Sequence, residues 1–311
     1  MYDVVALGEL LIDFTTQATD PDGYLTMAAH PGGAPANFLA AIAKFGGKAA
    51  LLGKVGTDTF GKLLTDTLRK AGIETRGIVA SDDVFTTLAF VTLDENGDRE
   101  FAFARKPGAD TQLRFEEIDL SILDETRVFH FGTLSLTDEP ARGTAYRAVE
   151  YAKAHGKLVT FDPNLRRPLW KSLDDAKEQM LWGLDHVDVV KISDEEIEFL
   201  FGLGVQDGAQ YILEHFPVRL VFATCGAEGC WFQNRNAGGH VDSLKDIKVV
   251  DTTGAGDIFG GSAVWKLLQT GKAPEELDEV ELREIVSFAC KAAGLSTTKP
   301  GGISSVFALQ D

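Results

Sequence analysis

Asp257 closes the triplet Gly254-Ala255-Gly256 in the stretch DTTGAGDIFGGSAV (residues 251–264), which continues as an apolar helical pattern. Small residues let backbone approach a phosphate closely, and a helix start offers unpaired amides and the positive end of its dipole to an anion. A carboxylate in the same turn conflicts with an anion unless the anion arrives from one side and an alcohol from the other. Asp257, kept ionised by the dipole, would then accept the alcohol proton. The amides of Gly254, Ala255 and Gly256 would take up charge on a transferring phosphoryl group. An ordinary glycine-rich turn with a helix-start acid is the plainer alternative. The spacing is not the dinucleotide fingerprint, because position 259 is Phe, and the chain holds no GxxxxGK[ST] stretch and no HRD or DFG set.

Three more clusters carry suitable groups. Gly32-Gly33 permits close approach of a small polyol before the helical pattern APANFLAAIAKFG, from which Asn37 projects a donor and an acceptor. Asp13, after the first apolar run, could accept two hydroxyls at once. FDPNLRRPLW (161–170) brings Asp162, Asn164, Arg166 and Arg167 to a strand end, stiffened by Pro163 and Pro168, and paired arginines suit phosphate or sugar oxygens. In KISDEEIEFL (191–200), Lys191 and Glu196 could hold phosphate and a hydrated Mg²⁺. Taken singly, a common Gly-Gly turn, a capping Asn, a surface ion pair and helix-start acids would explain these residues equally well.

The elements that must position them alternate along the chain. DVVALGE, AALLGKVG, RVFHFGTL, KLVTFDPN, VDVVKIS, VRLVFATCG and IKVVDTT read as strands. Amphipathic helical stretches lie between them, at APANFLAAIAKFG, DTFGKLLTDTLRKAG, 139–155, 173–183, DEEIEFLFG and 207–215, with Gly46, Gly72 and Gly156 as C-terminal caps. This order predicts an α/β fold with a mainly parallel sheet covered on both faces. Ligands then bind beyond the carboxyl ends of the strands, where Asp13, Asp162, Asn164, Lys191, Ser193, Thr224, Asp251 and Thr253 fall. Residues 14–30 and 84–106 break the pattern. They read as hairpins with turns at Pro21-Asp22-Gly23 and Glu95-Asn96-Gly97-Asp98, either a small sheet that stands off the body as a lid or a dimer contact, or a pair of surface hairpins with no role. No linker or internal repeat divides the chain, so a single domain is expected.

Among 311 residues, 47 Asp and Glu outweigh 30 Lys and Arg to give a net charge of -17, which disfavours a nucleic-acid partner. An odd number of cysteines (Cys225, Cys230 and Cys290) points to a reducing cytoplasm, and Cys225-x4-Cys230 has neither redox nor zinc spacing. No apolar run approaches the roughly 20 residues that span a bilayer. The N-terminus lacks the basic region of a signal peptide. The six histidines show no ligand spacing.

Together these residues resemble the ribokinase-like sugar kinases, the phosphofructokinase B family, along the whole chain. Two signatures carry the resemblance: Gly-Gly-x-x-x-Asn at 32–37 and Asp-Thr-x-Gly-x-Gly-Asp at 251–257. FVTLDENGDREFAFARKPGAD, FDPNLRRPLW, KISDEE and CGAEGC are, more narrowly, similar to fructokinases of bacteria and plants. The resemblance implies a ribokinase-like three-layer α/β/α domain over residues 1–311, with a lid from about 14–30 and 84–106 that also builds a homodimer. It implies ATP-dependent phosphorylation of a sugar, D-fructose at its 6-hydroxyl, with Asp257 as base and Gly254, Ala255 and Gly256 as anion hole. Sugar contacts would come from Asp13, Gly32, Gly33, Asn37, Arg105, Asn164 and Arg166. Nucleotide contacts would come from Lys191, Ser193, Thr224, Gly226 and Gly229. Glu196 would face the water shell of Mg²⁺, and a K⁺ loop would draw on Asp251, Thr253, Ser296, Lys299, Gly301 and Ser305. The family's Asn-x-x-Glu motif here reads Ser193-Asp-Glu-Glu196. Two other readings stay open: a 2-keto-3-deoxygluconate kinase, whose acid substrate needs a cation such as Arg105 or Arg166, and a sugar-binding regulator that has lost catalysis.

Overall fold

The computed structural model describes residues 1–93 and 99–307, so the expected turn at Glu95–Asp98 lies outside the described residues. Strands β1 (Tyr2–Leu7), β2 (Leu11–Thr19) and β3 (Leu25–Gly32) lead into helix α1 (Ala34–Lys44), β4 (Ala49–Gly56) and α2 (Thr59–Lys70). Then follow β5 (Ile78–Ser81), β6 (Leu88–Leu93), β7 (Arg99–Ala104), α3 (Leu120–Asp124), β8 (Thr126–Gly132), α4 (Ala141–Ala154), β9 (Leu158–Asp162), α5 (Leu173–Leu184), β10 (Val189–Ser193), α6 (Asp194–Phe201) and α7 (Val205–His215). The chain finishes with β11 (Leu220–Thr224), β12 (Cys230–Asn234), β13 (Gly238–Val241), α8 (Ala255–Thr270), α9 (Glu279–Ser296) and α10 (Ile303–Phe307).

Nine strands form the central sheet in the order β13-β12-β11-β10-β9-β8-β1-β4-β5. Neighbours from β5 to β11 run parallel, and β12 and β13 close one edge antiparallel. Strand alternation splits the core between the two faces. Val5 and Leu7 pack with α4, α5 and α7 residues such as Val149, Met180 and Ile212. Val4 and Ala6 pack with α1, α2 and α8 residues such as Leu39, Leu64 and Val264. This is the three-layer α/β/α architecture that the alternation predicts. Gly46, Gly72 and Gly156 take the left-handed conformation expected of helix-ending glycines.

The two hairpins join as one separate sheet of four strands, in the order β3-β2-β6-β7. Only β2 and β6 pair in parallel. Asp20 organises the β2–β3 turn, because its Oδ1 accepts the amides of Asp22 and Tyr24. Phe14 anchors the sheet to the body, stacked on Phe90 and edge-on to Phe60 of α2.

One expected strand is absent. IKVVDTT forms no ladder: the amides of Val250 and Asp251 both donate to the carbonyl of Thr297, and Val249 and Val250 stay more than half exposed. Its apolar residues border a cleft, so its hydrophobicity reflects a cavity wall and not a sheet. The β12–β13 edge hairpin was not expected. Its turn is organised by Asn234, whose Oδ1 accepts the amides of Asn236 and Ala237.

Candidate active site

The start of α8 is the centre of the site. Gly254 caps the helix at φ 77°, a left-handed conformation that favours glycine. The amide of Ala255 donates to the carbonyl of Thr252 at 3.2 Å. Those of Gly254, Gly256 and Asp257 have no partner among the described residues. The amides free to meet an anion therefore differ from the expected triplet: Ala255 is engaged, and Asp257 offers its own N–H. A Cβ on Gly256 would come within 3.0 Å of Lys191 Nζ, so the bare backbone is what lets the ammonium sit against the helix start.

Two clefts meet there, with Thr252 bordering both. The larger, about 500 Å³, is lined by Thr224, Gly226, Gly229, Val249, Ala255 and Gly256 among others. The smaller, about 280 Å³, gathers Asp13, Gly33, Asn37, Asn164, Arg166 and Asp257, together with Leu11, Val91 and Phe103 of the small sheet. Gly32 lies just behind, where a Cβ would meet Asp13 Oδ2 at 2.3 Å. Gly33 has φ 117°, and a Cβ there would meet the Glu9 carbonyl at 2.4 Å. Gly33 is thus required by its backbone, and a Cβ at Gly32 would displace the Asp13 carboxylate.

Asp257 is buried, and Asn37 Nδ2 donates to its Oδ2 at 2.9 Å. Asn37 does not cap α1, whose cap residue is Gly33. Its Oδ1 is buried without a partner among the described residues, an acceptor beside the carboxylate. Burial holds Asp257 above the usual carboxylate range, opposed by the Asn37 hydrogen bond, Lys191 and Arg166. Burial thus works against the ionisation that the helix dipole favours, an opposition the sequence alone does not show. Asp13 is pushed up to about 7 by burial and by Asp257 and Asp251, with Arg166 opposing.

Lys191 pairs with Asp162 at 3.1 Å, the carboxylate buried and the lysine largely so. Burial alone would lower the ammonium pKa, but Asp162, Glu196 and Asp257 raise it, so Lys191 stays charged. Burial raises Asp162. Asn164 holds φ 46°, unusual for a residue with a side chain, at the turn that carries it and Arg166 to the cleft.

Several expected roles are corrected. Arg105 does not line the small cleft: its guanidinium is bound to Asp110, Thr137 and the Leu134 carbonyl. Glu196 faces inward as a brace, its Oε1 accepting the Leu165 amide at 2.7 Å and its Oε2 the Ser193 amide at 2.8 Å. Ser193 completes that capping box by accepting the Glu196 amide. It caps α6 and is absent from the lining of the larger cleft.

Asp251 ties two loops together. Its Oδ1 accepts the amide and hydroxyl of Thr253, and its Oδ2 accepts the Gly301 amide at 2.9 Å. Ser296 and Ser305 are buried nearby in sequence, bonded to the carbonyls of Ala293 and Gly302, while Lys299 is exposed. Among the described residues, no group of three or more His, Cys, Asp or Glu side chains is placed to hold a metal ion.

Glu9 was not singled out from the sequence. It lines the small cleft, its Oε1 accepts the Ala34 amide at 2.9 Å, and burial pushes it up to about 7. An acid inside the otherwise apolar N-terminal run VVALGELLI was the available signal. His130 packs flat on Phe38 with its Nδ1 against Thr160 Oγ1; burial, helped by Lys191, pushes it down to about 3, so it is a neutral packing group.

A helix start between two clefts, with a buried carboxylate, free amides and a lysine ammonium packed against Gly256, is the arrangement of a phosphotransferase with an alcohol acceptor. The family model of pfkB carbohydrate kinases matches residues 1–308. The chain is 40% identical over 309 residues to probable fructokinase-4 of Arabidopsis thaliana, covering 97% of this chain and 93% of that protein. It is 41% identical over 310 residues to fructokinase-1 of Zea mays, covering 97% and 94%. Fructokinase from Xylella fastidiosa, solved with bound ATP, matches with a TM-score of 0.89 at 30% identity over 98% of this chain and 95% of that one. Fructokinase from Vibrio cholerae, solved with fructose, ADP and calcium, matches with a TM-score of 0.86 at 31% identity over 98% and 96%. This chain therefore belongs to the pfkB family of carbohydrate kinases.

Proposed function

We propose that this chain is an ATP-dependent fructokinase that phosphorylates D-fructose at its 6-hydroxyl. The observation that carries the reading is the charge of the small cleft. Three carboxyl groups (Glu9, Asp13 and Asp257) face it, while Arg166 is the one cationic side chain in its lining among the described residues. Such a wall accepts hydroxyls from a neutral polyol and repels a carboxylate. With Arg105 held by Asp110, Arg166 alone is left to meet the carboxylate of a keto acid, against three carboxyl groups, which disfavours 2-keto-3-deoxygluconate. The same buried Asp257 beside free helix-start amides disfavours a regulator without catalysis, since sugar binding alone needs neither.

In this reading the Asp257 carboxylate takes the proton of the 6-hydroxyl as its oxygen bonds to the terminal phosphorus of ATP. The bond from that phosphorus to the bridging oxygen breaks, and the charge leaves on ADP. Lys191 and the amides of Gly256 and Asp257 stabilise the moving charge. Thr224, Gly226 and Gly229 line the larger cleft for the nucleotide; a Cβ on Gly229 would meet the Val241 carbonyl at 2.1 Å, so the turn is built for bare backbone. The absence of a carboxylate cage among the described residues fits Mg²⁺ held by phosphate oxygens and water, which would shield the transferring group. The Asp251–Thr253–Gly301 junction is the place for a monovalent cation, and the exposed Tyr24 and Leu25 of the small sheet suit a second copy of the chain. No helix among the described residues is long and apolar enough to cross a membrane, and three free thiols suit the cytoplasm.

The test is ADP release with Mg-ATP and KCl across fructose, ribose, tagatose, glucose and 2-keto-3-deoxygluconate. Preferred turnover of fructose is expected. Preferred turnover of the keto acid would overturn the charge argument. Sedimentation as a monomer at micromolar concentration would exclude the dimer.

A further inference from the structure

Both strands of the second hairpin of the small sheet are rooted on one buried carboxylate. Thr87 immediately precedes β6, and its hydroxyl donates to Asp110 Oδ1. Arg105 immediately follows β7; its Nε donates to Asp110 Oδ2 at 2.8 Å, and its Nη2 lies 2.7 Å from the same oxygen. Thr87 is fully buried, and Arg105 and Asp110 nearly so. The far side of the guanidinium fork reaches the body. Nη1 donates to Thr137 Oγ1 and Nη2 to the Leu134 carbonyl, each at 2.8 Å, and Leu134 is part of the small cleft's wall. On the other flank the Thr87 carbonyl accepts the Ile12 amide at 3.1 Å, one residue before Asp13. The cluster has no room to spare, since a Cβ on Gly108 would lie 1.8 Å from Thr87 Oγ1.

We propose that Arg105 and Asp110 are positioning residues, a clamp that fixes the angle of the small sheet to the body and so sets how the two walls of the sugar cleft meet. The small sheet supplies Asp13, Val91 and Phe103 to that cleft, and the body supplies Leu134, Asn164 and Asp257. A buried ion pair is weak evidence for stability as such, because desolvation offsets the attraction. What the planar fork adds is geometry: it satisfies three acceptors in fixed directions, which a lysine at the same position cannot do. The clamp rests on the assignment of the small cleft to the sugar.

Two variants separate this role from a merely structural one. Arg105→Lys keeps the charge and one contact to Asp110 but loses the fork. Thr87→Val keeps the shape and the ion pair but frees the β6 root. Each is measured for sugar KM, ATP KM, kcat, melting temperature and hydrogen exchange in β6 and β7. Loss of charged hydrogen bonds should raise the fructose KM about tenfold in Arg105→Lys and by a smaller factor in Thr87→Val, with ATP KM within about twofold. Amides of β6 and β7 should exchange faster while those of the central sheet do not. The double variant should be non-additive, since both residues act through Asp110. Unchanged fructose KM and unchanged exchange in β6 and β7 of folded variants would overturn the clamp, whatever happens to melting temperature. If the wild type fails to turn over fructose, the substrate reading falls, and exchange in β6 and β7 still decides the clamp. If Arg105→Lys does not fold, Thr87→Val decides it.

Discussion

Replacing Asp257 with Asn isolates its proton-accepting role from its place in the fold. The amide keeps the shape and keeps an oxygen for Asn37 Nδ2, now 2.9 Å from Oδ2. Burial raises the pKa of Asp257 above its usual value of 3.8. The neutral form therefore contributes stability that is complete below the unfolded pKa and is lost as pH rises through the folded one. At neutral pH the native protein bears the cost of a desolvated charge that an amide does not, so Asp257→Asn should melt no lower than the wild type. Activity should respond in the opposite direction. Removing a general base costs about 10² to 10⁴ in kcat, or roughly 3 to 5 kcal/mol of transition-state stabilisation. The fructose KM should change by less than about tenfold, because Asp13, Asn37 and Arg166 still line the cleft. Single-turnover measurement of ADP formation at saturating fructose and ATP separates chemistry from product release. A folded Asp257→Asn protein with single-turnover rates within about threefold of the wild type would refute the assignment of the base.

Asp13 and Glu9 are both pushed up to about 7 by burial. Their neutral forms stabilise the empty protein fully below about pH 4, and that contribution fades as pH rises toward 7; each tenfold gain in proton affinity on folding is worth about 1.4 kcal/mol. Chemical denaturation from pH 5 to 8 should show falling stability with a slope that flattens in Asp13→Asn; an unchanged slope would remove Asp13 from the account. Gly261→Ala should destabilise by about 1–3 kcal/mol or more, because a Cβ there would lie 2.2 Å from the Phe38 carbonyl where α1 crosses α8. A melting temperature equal to the wild type would show that the helices can separate freely. Turnover should be faster in KCl than in choline chloride at equal ionic strength, and equal rates would count against a cation at the Asp251–Thr253–Gly301 junction.

Local sequence determined much of this protein. Apolar runs on alternating spacing fixed the strands of a parallel sheet, because such strands are buried on both faces, and the glycines of 32–33 and 254–256 marked where backbone must come close to something else. Asp257 was legible as the candidate base because a carboxylate in a turn suited to anions has few other uses. Tertiary structure decided what depends on neighbours distant in sequence. IKVVDTT has the composition of a strand, but no ladder partner reaches it, and it borders a cleft. Arg105 has the chemistry to meet a sugar, but Asp110, Thr137 and the Leu134 carbonyl take its donors. Glu196 could approach a hydrated ion, but the amides of Leu165 and Ser193 occupy both its oxygens. The ionisation of Asp257 followed the same rule. The sequence supplied the helix dipole that favours its charge, and only burial in the assembled site, a property of no single segment, set the opposing desolvation.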